Sequence, residues 1–302
     1  MNTIKNQIDL EEKIMNLYLR HQKQSESMEW NFYEYMPWDR GQSFSTLPYD
    51  KSQNTLPQEL ITAIETSMLT ELNLPWYTTF LNNMFTDSLE PLQNFVHTWV
   101  SEEDQHAAAL ETYLILTRNA DPKELTKVKK EILTTGWDSI LSEPLASMVY
   151  TSLQELGTVV FYRNIAKYAQ QYDSGLSDLL LRIAKDESSH YAFYNQIVDA
   201  HLELNPNLIT HVWPVIKNFK MPGGSLSDFD DRMKVIQKAG YGPDEYVNQV
   251  LEVLIKRWKI AKLEPTTSEG KEAQKNILKY LEKIKRINAR LKKQRDVASR
   301  QA

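Results

Sequence analysis

The chain of 302 residues contains no cysteine. Disulfide frameworks, thiolate zinc sites and iron–sulfur clusters within this chain are therefore excluded, and any metal chemistry must use oxygen and nitrogen ligands. Long apolar runs are missing too. No stretch reaches the ~18 uninterrupted apolar residues of a spanning helix, so no membrane span is expected. No segment alternates polar and apolar residues over the length of a strand, which leaves β architectures without support. The opening Met1-Asn2-Thr3-Ile4-Lys5-Asn6-Gln7 has neither the apolar core of a secretory signal nor the Arg/Ser-rich, acid-poor character of a transit peptide, and a cytoplasmic location is the expectation. An overall basic excess is lacking as well, the net charge being −5, and no nucleic-acid partner is expected for the chain as a whole. The exception is the stretch 275–300, where ten basic residues stand against only Glu282 and Asp296. A basic helix of this kind can dock an acidic protein, a nucleic acid or a membrane surface, or simply be solvated.

What is present suits a globular protein, with hydrophobic residues at 41% and charged residues at 25%. The signal is helical throughout. Residues 8–22 read as an amphipathic helix, and Glu29 to Asp50 as an aromatic-rich irregular wrap punctuated by Pro37, Gly41 and Pro48. Pro57 suits the first turn of a helix that carries Glu71 and continues, kinked by Pro75, to about Phe85. Further helices are predicted from Pro91 to about Leu116, over 123–134, from Pro144 to about Tyr172, and from Leu176 to Leu204. After Pro206 come helices near 208–219, 226–239, 244–262 and 268–295. The expected organisation is one domain over 1–302, with an N-terminal helix and wrap (1–56), a bundle (57–204) and C-terminal helices (205–302).

Two segments carry the chemistry: Glu103-Asp104-Gln105-His106 and Glu187-Ser188-Ser189-His190. In an α-helix, residues three apart share a face, so each Glu-x-x-His aims a carboxylate and an imidazole at one point. A further Glu lies 32 residues upstream of each motif, at Glu71 and Glu155. Four Glu and two His in this arrangement are what a carboxylate-bridged two-metal site in a four-helix bundle requires. Solvated helix faces would account for isolated copies, but Glu155 lies in an uncharged stretch, Met148 to Phe161, where a buried carboxylate needs a cation or a proton. Oxygen and nitrogen ligands fit iron or manganese without separating them. Next to Glu155, Gly157 leaves room on the helix, and the Thr158 hydroxyl could form an oxygen pocket or bond back to its own helix.

Around these residues the blocks Glu71 to Tyr77, Trp99 to His106, Tyr150 to Glu155, Ala184 to His190 and Arg257 to Leu263 resemble, in order and spacing, the soluble acyl-acyl-carrier-protein desaturases. The resemblance runs from about Trp30 to the C-terminal helix, and the Trp30 to Phe44 block is closer to the bacterial branch than to the plastid one. It implies an all-α, ferritin-like four-helix bundle with flanking helices, in a homodimer. It also implies a di-iron enzyme that takes electrons from a ferredoxin-type donor, activates O2 and places a cis double bond in an acyl chain on acyl carrier protein. Carried over, the ligands of the two iron ions would be Glu71, Glu103, His106, Glu155, Glu187 and His190. Thr158 would match the oxygen-pocket threonine, and Trp30, Asp186 and His106 a line of residues carrying electrons inward. Lys256, Arg257, Lys259, Lys262 and the basic C-terminal helix are candidates for meeting the acidic carrier protein. Alternatives are a related di-iron oxidase or oxygenase on another substrate, a radical-generating subunit using Tyr113, or a non-catalytic ferritin-like iron-binding protein. The long extension after Pro206 argues against the last.

Overall fold

The computed structural model describes residues 2–139 and 141–299, with the side chains of 8–139 and 141–294. The side chains of Arg295 and Arg300 in the basic stretch lie outside the described residues. No strand occurs among the described residues. Among the described residues, twelve α-helices follow in order: α1 (Asn2–Ser27), α2 (Gln58–Glu71), α3 (Leu74–Phe85), α4 (Glu90–Leu116), α5 (Pro122–Thr135), α6 (Pro144–Ala169), α7 (Ser174–Leu204), α8 (Ile209–Asn218), α9 (Phe229–Ile236), α10 (Pro243–Glu245), α11 (Glu252–Arg257) and α12 (Ser268–Ser299).

The centre is a four-helix bundle. α6 packs along α7 and α2 along α4, and the two pairs meet through α4 on α7 and α2 on α6. α6 buries residues on every side, from Ala146 through Leu153 and Tyr162 to Ala169, as a helix enclosed by neighbours must. α1 covers α7 and α4, α9 lies on α2, and α12 supports α8. One apolar cluster runs from Ile14 in α1 to Leu281 in α12. Leu110, on α4, is 0% exposed within it. Leu110→Ala is expected to cost about 2–5 kcal/mol, read as a lower denaturation midpoint with an unchanged slope.

Most local signals act where the sequence places them. Asp121 caps α5 through the Lys123 N–H, and Asp173 caps α7 through the Leu176 N–H. The aromatic wrap forms three short 3-10 turns, Phe32–Tyr35, Trp38–Arg40 and Lys51–Gln53. Three expectations change. The first helix is longer, spanning Asn2–Ser27. Pro75 does not kink one continuous helix but separates two: α2 stops at Glu71, Asn73 is buried, and α3 starts at Leu74 with the proline in its first turn. The helix expected over 244–262 is broken up: residues Tyr246–Leu251 are π-helical, α11 ends at Arg257, and Lys259 takes φ 51° before a 3-10 turn. A π-turn is set by packing against neighbours and leaves no periodic mark.

Candidate metal centre

All six residues singled out by the motif spacing converge. Two groups of ligating atoms lie within 4.8 Å of one another, Glu71 with Glu103, His106 and Glu187, and Glu103 with Glu155, Glu187 and His190. Glu103 and Glu187 belong to both. Their two oxygens are shared out accordingly. Glu103 Oε2 is 2.8 Å from His106 Nδ1, and its Oε1 is 2.8 Å from His190 Nδ1. Glu187 Oε1 is 3.4 Å from His106 Nδ1, and its Oε2 is 3.9 Å from His190 Nδ1. Two cations held here would have Glu103 and Glu187 in common, with Glu71 added on one side and Glu155 on the other.

The ring orientation of both histidines follows from their outer partners. His190 Nε2 donates to Glu102 Oε2 at 2.7 Å, and His106 Nε2 meets Asp186 Oδ2 at 3.3 Å. A carboxylate only accepts, so Nε2 carries the hydrogen in each ring and Nδ1 is turned inward. The short approaches at Nδ1 lack hydrogen-bond alignment: His106 Nδ1, His190 Nδ1, both oxygens of Glu155 and Glu187 Oε1 are all buried without a hydrogen-bond partner. Polar atoms left so in a well-packed interior call for an ion. The donor set, nitrogen and carboxylate oxygen with no sulfur, fits two ions of iron or manganese type.

Electrostatics agree. Burial raises the Glu71 carboxyl well above its usual range, helped by Glu187 and Glu103, and burial with the Glu187 charge raises Glu155 likewise. Burial opposes a charge on Glu187, yet the His106 and His190 rings beside it bring it down to about 2. Both imidazoles are desolvated, but the Glu103 carboxylate and their other acidic neighbours hold them well above the ordinary histidine value. Cations here would displace those protons.

The break after α2 places Glu71 at a helix end, where the Tyr162 hydroxyl donates to its Oε1 at 2.8 Å. Tyr162→Phe is expected to weaken metal binding roughly tenfold or more while leaving the fold intact, checked by metal titration of the purified variant. Asp186 also receives the Trp30 indole N–H at 2.6 Å and the Arg182 guanidinium at 2.6 Å, so Trp30, Asp186 and His106 form a continuous line. Thr158 takes the bland geometry, its hydroxyl donating to Gln154 O at 3.0 Å. It nevertheless lines, with Glu71, Thr70, Phe161, Met221 and Tyr241, a mostly apolar cavity of about 60 Å³. The room left by Gly157 is taken by Met221, whose Sδ would lie 3.3 Å from an added Cβ. Tyr113 is held away from the centre, its hydroxyl donating to Asp173 at 2.8 Å beside Arg40.

Sequence reasoning missed Tyr162, Glu102 and His21. Glu102 had a signal: an acidic residue precedes the first Glu of both motifs, giving Glu102-Glu103 and Asp186-Glu187. Each member of this pair reaches the histidine of the other motif. Tyr162 and His21 carry no motif.

The fatty acid desaturase family matches residues 4–302. DesA1 of Mycobacterium tuberculosis, assigned as an acyl-[acyl-carrier-protein] desaturase, is 31% identical over 273 residues, covering 86% of this chain and 78% of DesA1. A chloroplastic stearoyl-[acyl-carrier-protein] 9-desaturase from Carthamus tinctorius is 29% identical over 252 residues, covering 78% of this chain and 63% of that protein. The X-ray structure of DesA2 from M. tuberculosis H37Rv superposes with a TM-score of 0.67 at 23% identity, covering 88% of this chain and 99% of that one. The chain therefore belongs to the fatty acid desaturase family, among its acyl-acyl-carrier-protein desaturases, and has their ferritin-like helical fold.

Proposed function

We propose that this chain removes two hydrogens from a saturated acyl group on acyl carrier protein, leaving a cis double bond, at two iron ions held by Glu71, Glu103, His106, Glu155, Glu187 and His190. The observation that carries the reading is the shared placement of Glu103 and Glu187 between two histidines whose inward nitrogens have no other partner. Bound there, two adjacent iron ions supply the capacity to bind and reduce O2. The chain's residues do the rest. Glu102 and Asp186 fix the imidazoles, and Tyr162 orients Glu71. Trp30 and Asp186 offer the inward electron route from a ferredoxin-type donor. The apolar cavity beside Glu71 and Thr158 receives the acyl chain.

At about 60 Å³ that cavity is well short of the ~300 Å³ of a ligand-filled pocket, so side chains must yield. Met221 and Met233, unbranched and flexible, line it and can give way. A homodimer, which the family resemblance implies, and a cytoplasmic location both form part of the proposal. Among the described residues, no helix is long and apolar enough to cross a membrane. The test is expression in a bacterial host: wild-type protein adds unsaturated acyl chains to the host's lipids, and Glu155→Ala does not. An acyl profile identical for the two would count against the reading.

A further inference from the structure

The two histidines of the metal centre are held by different kinds of outer partner. On the His106 side, Asp186 is tied down by the Trp30 indole and the Arg182 guanidinium, a permanent cation at 2.6 Å. On the His190 side, Glu102 has no such cation among the described residues. Instead α1 brings in His21, whose Nε2 lies 3.2 and 3.1 Å from the two Glu102 oxygens. His21 is 4% exposed, with Phe95 edge-on at 4.8 Å between centroids and the Phe193 ring at 5.9 Å.

The other ring nitrogen of His21 is also engaged. Ser189, the residue just before His190, places its hydroxyl 3.3 Å from His21 Nδ1. Because Glu102 can only accept, His21 Nε2 carries the hydrogen, and Ser189 then donates to Nδ1. A single tautomer of His21 thus accepts from Ser189 and donates to Glu102, on which His190 Nε2 donates from the other side. Glu102 needs this support, since it lines a surface cavity of about 380 Å³ together with Glu29 and Asp186, where water competes for its oxygens.

We propose that His21 is a positioning residue for the centre: by clamping Glu102 from α1, it fixes the His190 ring so that Nδ1 faces the ligand group shared with Glu103, Glu155 and Glu187. The inference rests on the two-metal reading above. It makes the first helix, which contributes no ligand, part of the metal-binding apparatus, and it makes the two sites unequal in what supports them. Direct outer partners of metal-bound histidines are worth roughly 10–100-fold in metal affinity; His21 acts one bond further out, so about three- to tenfold is expected.

The test is titration of metal-free protein with Co(II), followed by its visible ligand-field absorption and by counting bound ions. Wild-type protein should bind two Co(II) per chain. In His21→Ala, one class of site should weaken about three- to tenfold with a changed absorption band, and the other should keep wild-type affinity. His21→Gln, whose amide can still donate to Glu102, should recover much of the loss, which mere packing damage would not. In a Glu102→Gln background, His21→Ala should have little further effect, because the two act in series. Thermal unfolding of the metal-free variants shows that each is folded; should His21→Ala not fold, His21→Gln against Glu102→Gln still gives the comparison. Two ions bound by His21→Ala with wild-type affinities and spectrum would overturn the role of His21 alone. A wild-type protein that binds no metal would overturn the two-metal reading instead.

Discussion

Glu187→Ala is expected to abolish the binding of both metal ions and to lower desaturase turnover by roughly 10³-fold or more, the loss of several kcal/mol of metal-borne stabilisation. Glu187 stands in both ligand groups, with one oxygen toward each histidine. Glu155 stands in one only, so Glu155→Ala should lose the His190-side ion and retain the other, with activity lost as well. Metal analysis of the two variants separates the cases. Equal metal content in both would mean that Glu187 is no bridge.

The second large effect is on stability. In the metal-free chain, burial and neighbouring acidic charge raise Glu71 and Glu155 above the usual 4.5, and burial is outweighed by Glu103 in raising His106 and His190 above 6.5. These groups hold protons in the folded state that the unfolded chain releases. Their contribution is fully present below the unfolded values and is lost as pH rises through the folded ones. Glu187 works the other way, its contribution being present above 4.5 and lost only as pH falls toward about 2, outside this window. Bound metal takes the place of the protons and removes the liability. The melting temperature of chelator-treated protein is thus expected to fall between about pH 6 and pH 8, while that of metal-loaded protein does not. At a free metal concentration of about a hundred times Kd, each site adds about 2.7 kcal/mol. Paired calorimetric scans read the gap, and a gap that narrows with rising pH would contradict the charge arrangement.

The convergence of the six candidate ligands was legible because helix geometry turns spacing into proximity: the motif glutamates and histidines at i and i+3, with Glu71 and Glu155 repeated upstream, needed no tertiary information beyond a bundle. The apolar setting of Glu155 carried the strongest physical signal, and its two oxygens are indeed buried without hydrogen bonds. Tyr162 and His21 were not legible, because what they do depends on which helices face each other. Gly157 shows the limit from the other side: the sequence reveals room on the helix, but not that Met221, 64 residues later, fills it. The division between α2 and α3 was half visible, since Pro75 marks a disturbance without saying whether the helix bends or stops.

Desaturation of an acyl group on acyl carrier protein is the reaction proposed for this centre. Its most direct measurement is a mass spectrum of the acyl group after iron-loaded protein, a ferredoxin-type reducing chain and O2 are mixed with a saturated acyl-acyl carrier protein. The expected product is lighter by two hydrogens, forms only when iron, reductant and O2 are all present, and is absent with Glu187→Ala. An acyl group that gains an oxygen atom, or that returns unchanged from protein carrying two iron ions per chain, would contradict it.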